Sequence, residues 1–331
     1  MPTAAPTYPA PASDRARPPE APPGRKLLLA RPRGFCAGVV RAIEMVERAL
    51  KLYGPPIYVK HAIVHNRFVV ERLERMGAVF VEDLQQVPQG ATTIFSAHGV
   101  SPAVHHEAAQ RALDVLDATC PLVTKVHLEA RRYAREQATI FLIGHRDHVE
   151  VEGTLGEAPE RTIVIESAEE AERVSVADPE RVAYLTQTTL SVDDTAAIVQ
   201  VLQRRFPALR SPRKEDICYA TQNRQQAVKA LSAEADVILV IGSRSSSNSN
   251  RLVEVARTKG CPAYLVDSVE QVQPEWLESA RCIGITAGAS APEEIVMELV
   301  NRLSSRYGAA VHELEVVEEH TSFPLPARLQ G

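Results

Sequence analysis

Asp117-Ala118-Thr119-Cys120-Pro121 is the middle member of three cysteine loops, with Cys36 and Cys218 standing at nearly even intervals on either side of it. Each cysteine closes a short apolar run and opens a stretch with helical spacing. Lys26-Leu27-Leu28-Leu29-Ala30 leads to Cys36, after which Val39, Ile43, Val46 and Leu50 recur as on one helix face. Val115 and Leu116 lead to Cys120, followed by Val123, Val126, Leu128 and Ala130. Asp216-Ile217 leads to Cys218, followed by Ala227, Val228 and Leu231. A thiol at the first turn of a helix faces unpaired backbone N–H groups, which favour its thiolate. Three such thiols make a candidate metal site. A buried cysteine ordinarily behaves as a small hydrophobe, and Cys261, in a Gly-Cys-Pro turn, and Cys282, at the head of an apolar run, read as that kind.

From Lys26 onward one pattern repeats: apolar strand, polar loop, helix. Ile57-Tyr58-Val59 runs into the loop of His65, Thr93-Ile94-Phe95 into that of His98, and Thr139 to Ile143 into that of His148 and Glu150. Val182 to Leu185 runs into Thr188 and Thr189, Val237 to Ile241 into Ser246, Ser247 and Asn248, and Cys282 to Ile285 into Ser290. Continuous apolar runs alternating with amphipathic helices imply parallel sheets covered on both faces. Six polar loops and three cysteine loops divide into three groups. The expected architecture is therefore an α/β, trefoil-like arrangement of three pseudo-symmetric parallel-sheet lobes: residues 25–120, 121–216 and 217–305. Residues 306–331 form a tail packing on the body, and the proline-rich residues 1–24 form a disordered extension.

Ligands bind beyond the carboxyl ends of strands in open α/β sheets, and the unusual residues all fall there. His65, His98, His148, Thr188, Thr189, Ser246, Ser247, Asn248 and Ser290 are neutral hydrogen-bonding groups ahead of helices, a donor set suited to a phosphate or diphosphate. Glu150 follows His148 by two, so both could face one way in an extended loop, and a carboxyl beside a phosphate pocket is a proton-donor candidate. His105, His106, His127, His312 and His320 read as ordinary core or surface residues. Structural zinc sites take four ligands, usually with close Cys-x-x-Cys pairs, which are missing here. A four-iron cluster held by three thiolates keeps one iron open.

Composition narrows the setting. With 331 residues, 45% hydrophobic and 24% charged, the chain is of ordinary globular type. A formal net charge of −5 argues against a nucleic-acid surface. No apolar run approaches the roughly 20 residues that span a bilayer. Five cysteines, an odd number, suggest a reducing cytoplasm rather than a disulfide framework.

Several longer motifs stand in order: Pro32-Arg33-Gly34-Phe35-Cys36-Ala37-Gly38, Val64-His65-Asn66-Arg67, Phe95-Ser96-Ala97-His98-Gly99, Asp117-Ala118-Thr119-Cys120-Pro121, Thr186-Gln187-Thr188-Thr189, Asp216-Ile217-Cys218-Tyr219-Ala220-Thr221, Ser246-Ser247-Asn248 and Thr286-Ala287-Gly288-Ala289-Ser290. Together, from about Lys26 to about Leu303, they resemble the LytB-type 4-hydroxy-3-methylbut-2-enyl diphosphate reductases, which close the methylerythritol phosphate route to isoprenoids. The resemblance implies a central 4Fe-4S cluster on Cys36, Cys120 and Cys218 with its fourth iron open. It implies that His65, His98, His148, Ser246, Ser247, Asn248 and Ser290 bind the diphosphate of a small allylic substrate. Thr188 would touch the substrate hydroxyl, and Glu150 would supply protons through it. Electrons would come from ferredoxin or flavodoxin, and the products would be isopentenyl and dimethylallyl diphosphate. Val149 departs from a common proline, Arg31 and Ser245 from common asparagines, and Val40 from a common aspartate. Two rival readings are a quinolinate synthase-like enzyme and a phosphometabolite-binding protein with structural or zinc-holding cysteines.

Overall fold

The computed structural model describes residues 24–330, so the extension expected at residues 1–24 falls, but for Gly24, outside the described residues. The chain opens with β1 (Lys26–Arg31) and α1 (Ala37–Tyr53). It continues through β2 (Ile57–Lys60), α2 (Arg67–Arg75), β3 (Ala78–Val81), β4 (Thr92–Phe95), α3 (Pro102–Gln110) and β5 (Asp114–Asp117). A second stretch holds α4 (Pro121–Arg135), β6 (Thr139–Ile143), α5 (Val149–Leu155), β7 (Thr162–Ile165), α6 (Ala168–Arg173), β8 (Val182–Thr186) and α7 (Val192–Arg205). The last holds α8 (Tyr219–Ser232), β9 (Val237–Ile241), α9 (Ser247–Thr258), β10 (Ala263–Val266), β11 (Cys282–Ala287), α10 (Glu293–Tyr307) and β12 (Ala310–Glu315).

The strands form three sheets, ordered β3-β2-β4-β5, β7-β6-β8 and β10-β9-β11-β1-β12, and every pairing between them is parallel. The protein is thus an α/β fold of three parallel-sheet lobes. The same order recurs in each: one strand at the centre, the next at an edge, the third on the centre's other side. Beyond that third strand lies the segment that leads to a cysteine. It is β5 beside β4, β1 beside β11, and in the middle lobe a single bridge between Arg210 and Ala183 beside β7-β6-β8.

Two boundaries differ from the sequence reading. The strand Lys26–Arg31, expected in the first lobe, pairs with β11 and β12 inside the third sheet. Both its faces are apolar: Leu27 and Leu29 enter one core and Leu28 and Ala30 another, so it needs a neighbour on each edge. The tail supplies one of them, β12, an exposed edge strand whose His312, Glu313 and Glu315 suit an edge left open to water. The strand expected before Cys218 is replaced by an irregular segment anchored through Arg210 N–H to the carbonyl of Val182 and Tyr184 N–H to that of Arg210, each at 3.0 Å.

Each cysteine therefore lies where the chain crosses between lobes. The helix after Cys36 buries Val39, Ile43, Val46 and Leu50 with β2 and β4 of the first lobe. The helix after Cys120 buries Val126, Ala130 and Tyr133 against β6 and β8, while Leu128, expected on the same face, is exposed because it points away from that sheet. The helix after Cys218 buries Ala227, Val228 and Leu231 against β1 and β9. Burying each large aliphatic side chain contributes about 1.5–3 kcal/mol, so the three crossings are fixed by ordinary core packing. Cys261 and Cys282 are buried in the third lobe's core, as free thiols.

Candidate active site

Cys36, Cys120 and Cys218 are the N-cap residues of α1, α4 and α8. Their backbones are held alike. Cys120 N–H donates to the carbonyl of Ala97 at 3.0 Å, Cys218 N–H to that of Thr188 at 3.0 Å, and Cys36 N–H to that of Ala289 at 3.2 Å. Each acceptor lies in the loop after the third strand of the same lobe. This bond puts every cysteine beside a loop that carries a polar candidate: His98, Thr188 itself, and Ser290.

The sulfurs converge. A Cβ built on Gly38 would lie 2.7 Å from Cys120 Sγ and 3.9 Å from Cys36 Sγ, so both sulfurs crowd one point over α1 that only glycine leaves clear. Cys218 Sγ is capped by Thr221, whose N–H donates to it at 3.4 Å while the thiol donates to Thr221 Oγ1 at 3.2 Å. The helix termini were expected to favour thiolates. Burial outweighs them, pushing Cys120 up to about 12 and Cys218 up to about 11, so these thiols ionise only where a cation replaces the proton, which leaves to solvent.

A single ion with metal–sulfur bonds of about 2.3 Å draws its sulfurs to within about 4 Å of one another. Among the described residues no three His, Cys, Asp or Glu side chains gather closely enough to hold one ion. Three cysteine thiols that line one space are a soft donor set of the kind that holds an iron–sulfur centre.

The polar loops close around the same space. One cavity of about 100 Å³ is lined by all three cysteines and by His65, His98, His148, Glu150, Thr188, Ser246, Ser247, Asn248 and Ser290. The structure thus brings every site residue expected from the sequence together. A wider cleft of about 640 Å³, between α7 and residues 211–217, is lined by none of them. The reason lies in strand order. Loops carrying the polar side chains follow β2 and β4, β6 and β8, and β9 and β11, the adjacent pairs where the strand order of each sheet reverses. Edge strands β3, β7 and β10 contribute none.

Within the cavity the histidine rings are neighbours, with centroids 4.1 Å apart for His65 and His98 and 5.2 Å for His65 and His148. Burial lowers all three: His65 below its usual value, His98 well below, His148 to about 4. They are neutral donors and acceptors at pH 7. His148 caps α5, its Nδ1 accepting from Glu150 N–H at 3.1 Å, which leaves the neutral ring's proton on Nε2. His65 Nε2 and both Nδ2 and Oδ1 of Asn248 are buried without a partner. Buried polar atoms are rarely left so, and three of them facing one cavity mark where a polar ligand belongs. Ser246 caps α9, Ser247 and Asn248 start it, and Ser290 Oγ donates to the carbonyl of His65 at 3.1 Å, tying third lobe to first. Thr189 Oγ1 donates to Ser247 Oγ at 3.1 Å, tying second to third.

His148 and Glu150 both line the cavity, but from a helix start rather than an extended loop, because α5 begins at Val149. Glu150 Oε1 accepts from Thr188 N–H at 2.6 Å and Oε2 from Thr188 Oγ1 at 3.0 Å. Burial raises this carboxyl to about 7, against the Thr188 hydrogen bonds. It can hold or release a proton at neutral pH.

Sequence reasoning passed over several residues here. Gly38 and Thr221 shape the sulfur sites; Thr221 stands three residues after an N-capping cysteine, a spacing that signals a capped first turn. His127, read as an ordinary core or surface residue, is a core one, with Nδ1 2.9 Å from Glu157 Oε1 and its ring edge against Gly99. Asp216 accepts from Thr186 N–H at 3.0 Å and pairs with Lys125 at 2.8 Å, bracing the approach to Cys218. No local motif marks these contacts, which join elements far apart in the chain.

The chain has close counterparts. A family model described as LytB protein matches residues 27–304. The 4-hydroxy-3-methylbut-2-enyl diphosphate reductase of Azoarcus sp. (strain BH72) is 57% identical over 305 residues, covering 92% of this chain and 98% of that protein. The enzyme of the same name from Bordetella pertussis (strain Tohama I) is 56% identical over 304 residues, covering 92% and 94%. Among solved structures, the E-1-hydroxy-2-methyl-but-2-enyl-4-diphosphate reductase from Plasmodium falciparum superposes with a TM-score of 0.91 at 42% identity, covering 93% of this chain and 97% of that one. A second, of (E)-4-hydroxy-3-methyl-but-2-enyl diphosphate reductase, gives a TM-score of 0.60 at 32% identity, covering 85% and 99%.

Proposed function

The chain belongs to the LytB family, and from that premise we propose that it reduces (E)-4-hydroxy-3-methylbut-2-enyl diphosphate to isopentenyl and dimethylallyl diphosphate. The reaction breaks the allylic C–O bond, takes up two electrons and two protons, and releases water. Cys36, Cys120 and Cys218 would hold a 4Fe-4S cluster, which would relay the electrons and supply Lewis acidity beside the substrate hydroxyl. Ferredoxin or flavodoxin delivers those electrons one at a time. The observation that carries this reading is that the three N-cap thiols share one cavity with Glu150 and the unpartnered polar atoms of His65 and Asn248.

The residues divide the work by position. Asn248, Ser246, Ser247, Ser290 and the three histidines bind and orient the diphosphate through neutral donors, with first-turn N–H groups of α9 adding to the field. Thr188 holds the substrate hydroxyl, its own side chain fixed by Glu150. Glu150, with a carboxyl raised to about 7, gives its proton to the departing oxygen through Thr188. No helix among the described residues is long and apolar enough to cross a membrane, and five free cysteines with an oxygen-sensitive centre fit a reducing cytoplasm.

Reduction assays with methyl viologen as donor test the reading. Electron consumption on adding the hydroxylated C5 diphosphate is expected; none with an iron-loaded chain overturns the reductase assignment.

A further inference from the structure

Resting on that reading of the cysteines, the geometry points to the C-terminal segment 316–330 as a strap that sets the spacing of the three cysteine loops, acting through two positioning residues, Arg41 and Arg224. The segment lies beyond the residues the family model matches.

Arg224, on α8, is fully buried. Its Nε and Nη2 donate to the carbonyl of Gly34 at 3.1 and 2.8 Å, in the loop of Cys36. Its Nη1 donates to the carbonyl of Ala220 at 2.9 Å, in the first turn after Cys218. One guanidinium thus ties the first cysteine loop to the third. Its counter-charge comes from the tail: Glu319 Oε1 lies 3.0 Å from Arg224 Nη1 and also accepts from Asn223 Nδ2 at 3.0 Å.

Arg41, on α1 one turn past Cys36, donates through Nη1 to the carbonyls of Ala118 and Thr119 at 3.3 and 3.2 Å, directly before Cys120. Its Nε donates to the carbonyl of Pro324 at 3.0 Å. The second guanidinium ties the first cysteine helix to the second cysteine loop, and again the tail holds it. Leu329, fully buried in the core of α1, and Arg328, paired with Asp114 of β5 at 2.8 Å, anchor the far end.

An isolated guanidinium is planar and spans several carbonyls at once, so fixing its plane fixes the loops it bridges. Removing the paired carboxylate leaves a buried charge free to leave its carbonyls. The strap is a retention device for the metal centre, separate from the residues that touch substrate.

Glu319→Gln and Arg41→Ala, prepared anaerobically with the full chain, test it through the rate at which iron is lost to a chelator. Each is expected to lose iron about tenfold faster than wild type or more. Hydrogen exchange of the metal-free chains separates this from general destabilisation. Faster exchange is expected at residues 34–38 in Glu319→Gln and at 118–121 in Arg41→Ala, whereas uniformly faster exchange overturns the strap. A wild type that takes up no iron overturns the reading of the cysteines and the strap with it. A wild type that holds iron, with both variants losing it at the same rate, overturns the strap alone.

Discussion

The backbone N–H of Cys120 donates to the carbonyl of Ala97 at 3.0 Å, and the equivalent bonds of Cys36 to Ala289 and Cys218 to Thr188 repeat it in the other lobes. The repeat extends one step back. Ala118 N–H donates to the carbonyl of Phe95 as Gly34 N–H does to that of Ala287. The symmetry is thus one of backbone bonds, carried by different side chains, which is why no residue-level repeat is visible in the chain.

Gly38→Ala places a methyl 2.7 Å from Cys120 Sγ, with Cys36 Sγ also near. The sulfur must move, since helix backbone cannot. The substituted protein is expected to fold with a near-normal circular dichroism spectrum and to retain less than half the wild-type iron; full iron retention would show that the sulfur position is tolerant.

Glu150→Gln removes a proton donor whose carboxyl sits near pH 7, and kcat is expected to fall by about 10²–10⁴. Wild-type turnover falls as pH rises through about 7, because the acid form does the work, and the variant loses that limb. Stability follows the same sign. A carboxyl raised from 4.5 to about 7 on folding stabilises the native state below 4.5, and the contribution is lost as pH rises through 7. The metal-free Glu150→Gln chain is therefore expected to exceed wild type in thermal midpoint above pH 7 and to match it near pH 4. Equal midpoints at pH 8 would contradict the buried, raised carboxyl.

Much of this site was legible in advance because strand ends are marked locally. Runs such as Val237 to Ile241 are apolar on both faces, and the polar loop after each is abrupt. What sequence could not give is which strand pairs with which. Lys26–Arg31 reads like any central strand, and its partners are more than 250 residues away, so nothing local assigns it to the third sheet. The segment before Cys218 reads as a strand because Ile217 follows the pattern of the other two loops, whereas its buried Asp216 turns inward to Thr186 and Lys125. The helical setting of Glu150 is not legible, because His148 caps a helix through a ring nitrogen rather than a hydroxyl or carboxylate.

Asn248→Ala deletes two of the three unpartnered polar atoms that face the cavity. Affinity for the product diphosphate, measured by calorimetry, is expected to fall about 10–100-fold, the worth of hydrogen bonds to a charged group. Because burial lowers His65, His98 and His148, the rings bind the anion as neutral donors, and calorimetric heats at pH 8 are expected to be independent of the buffer's ionisation enthalpy. Proton uptake on binding would contradict neutral donors at these rings.

Val149 occupies the first helical position of α5, where proline costs no hydrogen bond, and His148 before it has φ −90° and ψ 131°, a conformation that proline permits. Val149→Pro is expected to stabilise the protein by about 0.4–1 kcal/mol in denaturant unfolding with kcat unchanged. Destabilisation would mean that the N–H of Val149 has a partner.

Iron and acid-labile sulfide counted per chain after anaerobic preparation test the central claim most directly. About four of each are expected, lost in Cys120→Ser and kept in Cys261→Ser. A single zinc per chain, or iron retained equally by both variants, would contradict three N-cap thiols sharing one polynuclear centre.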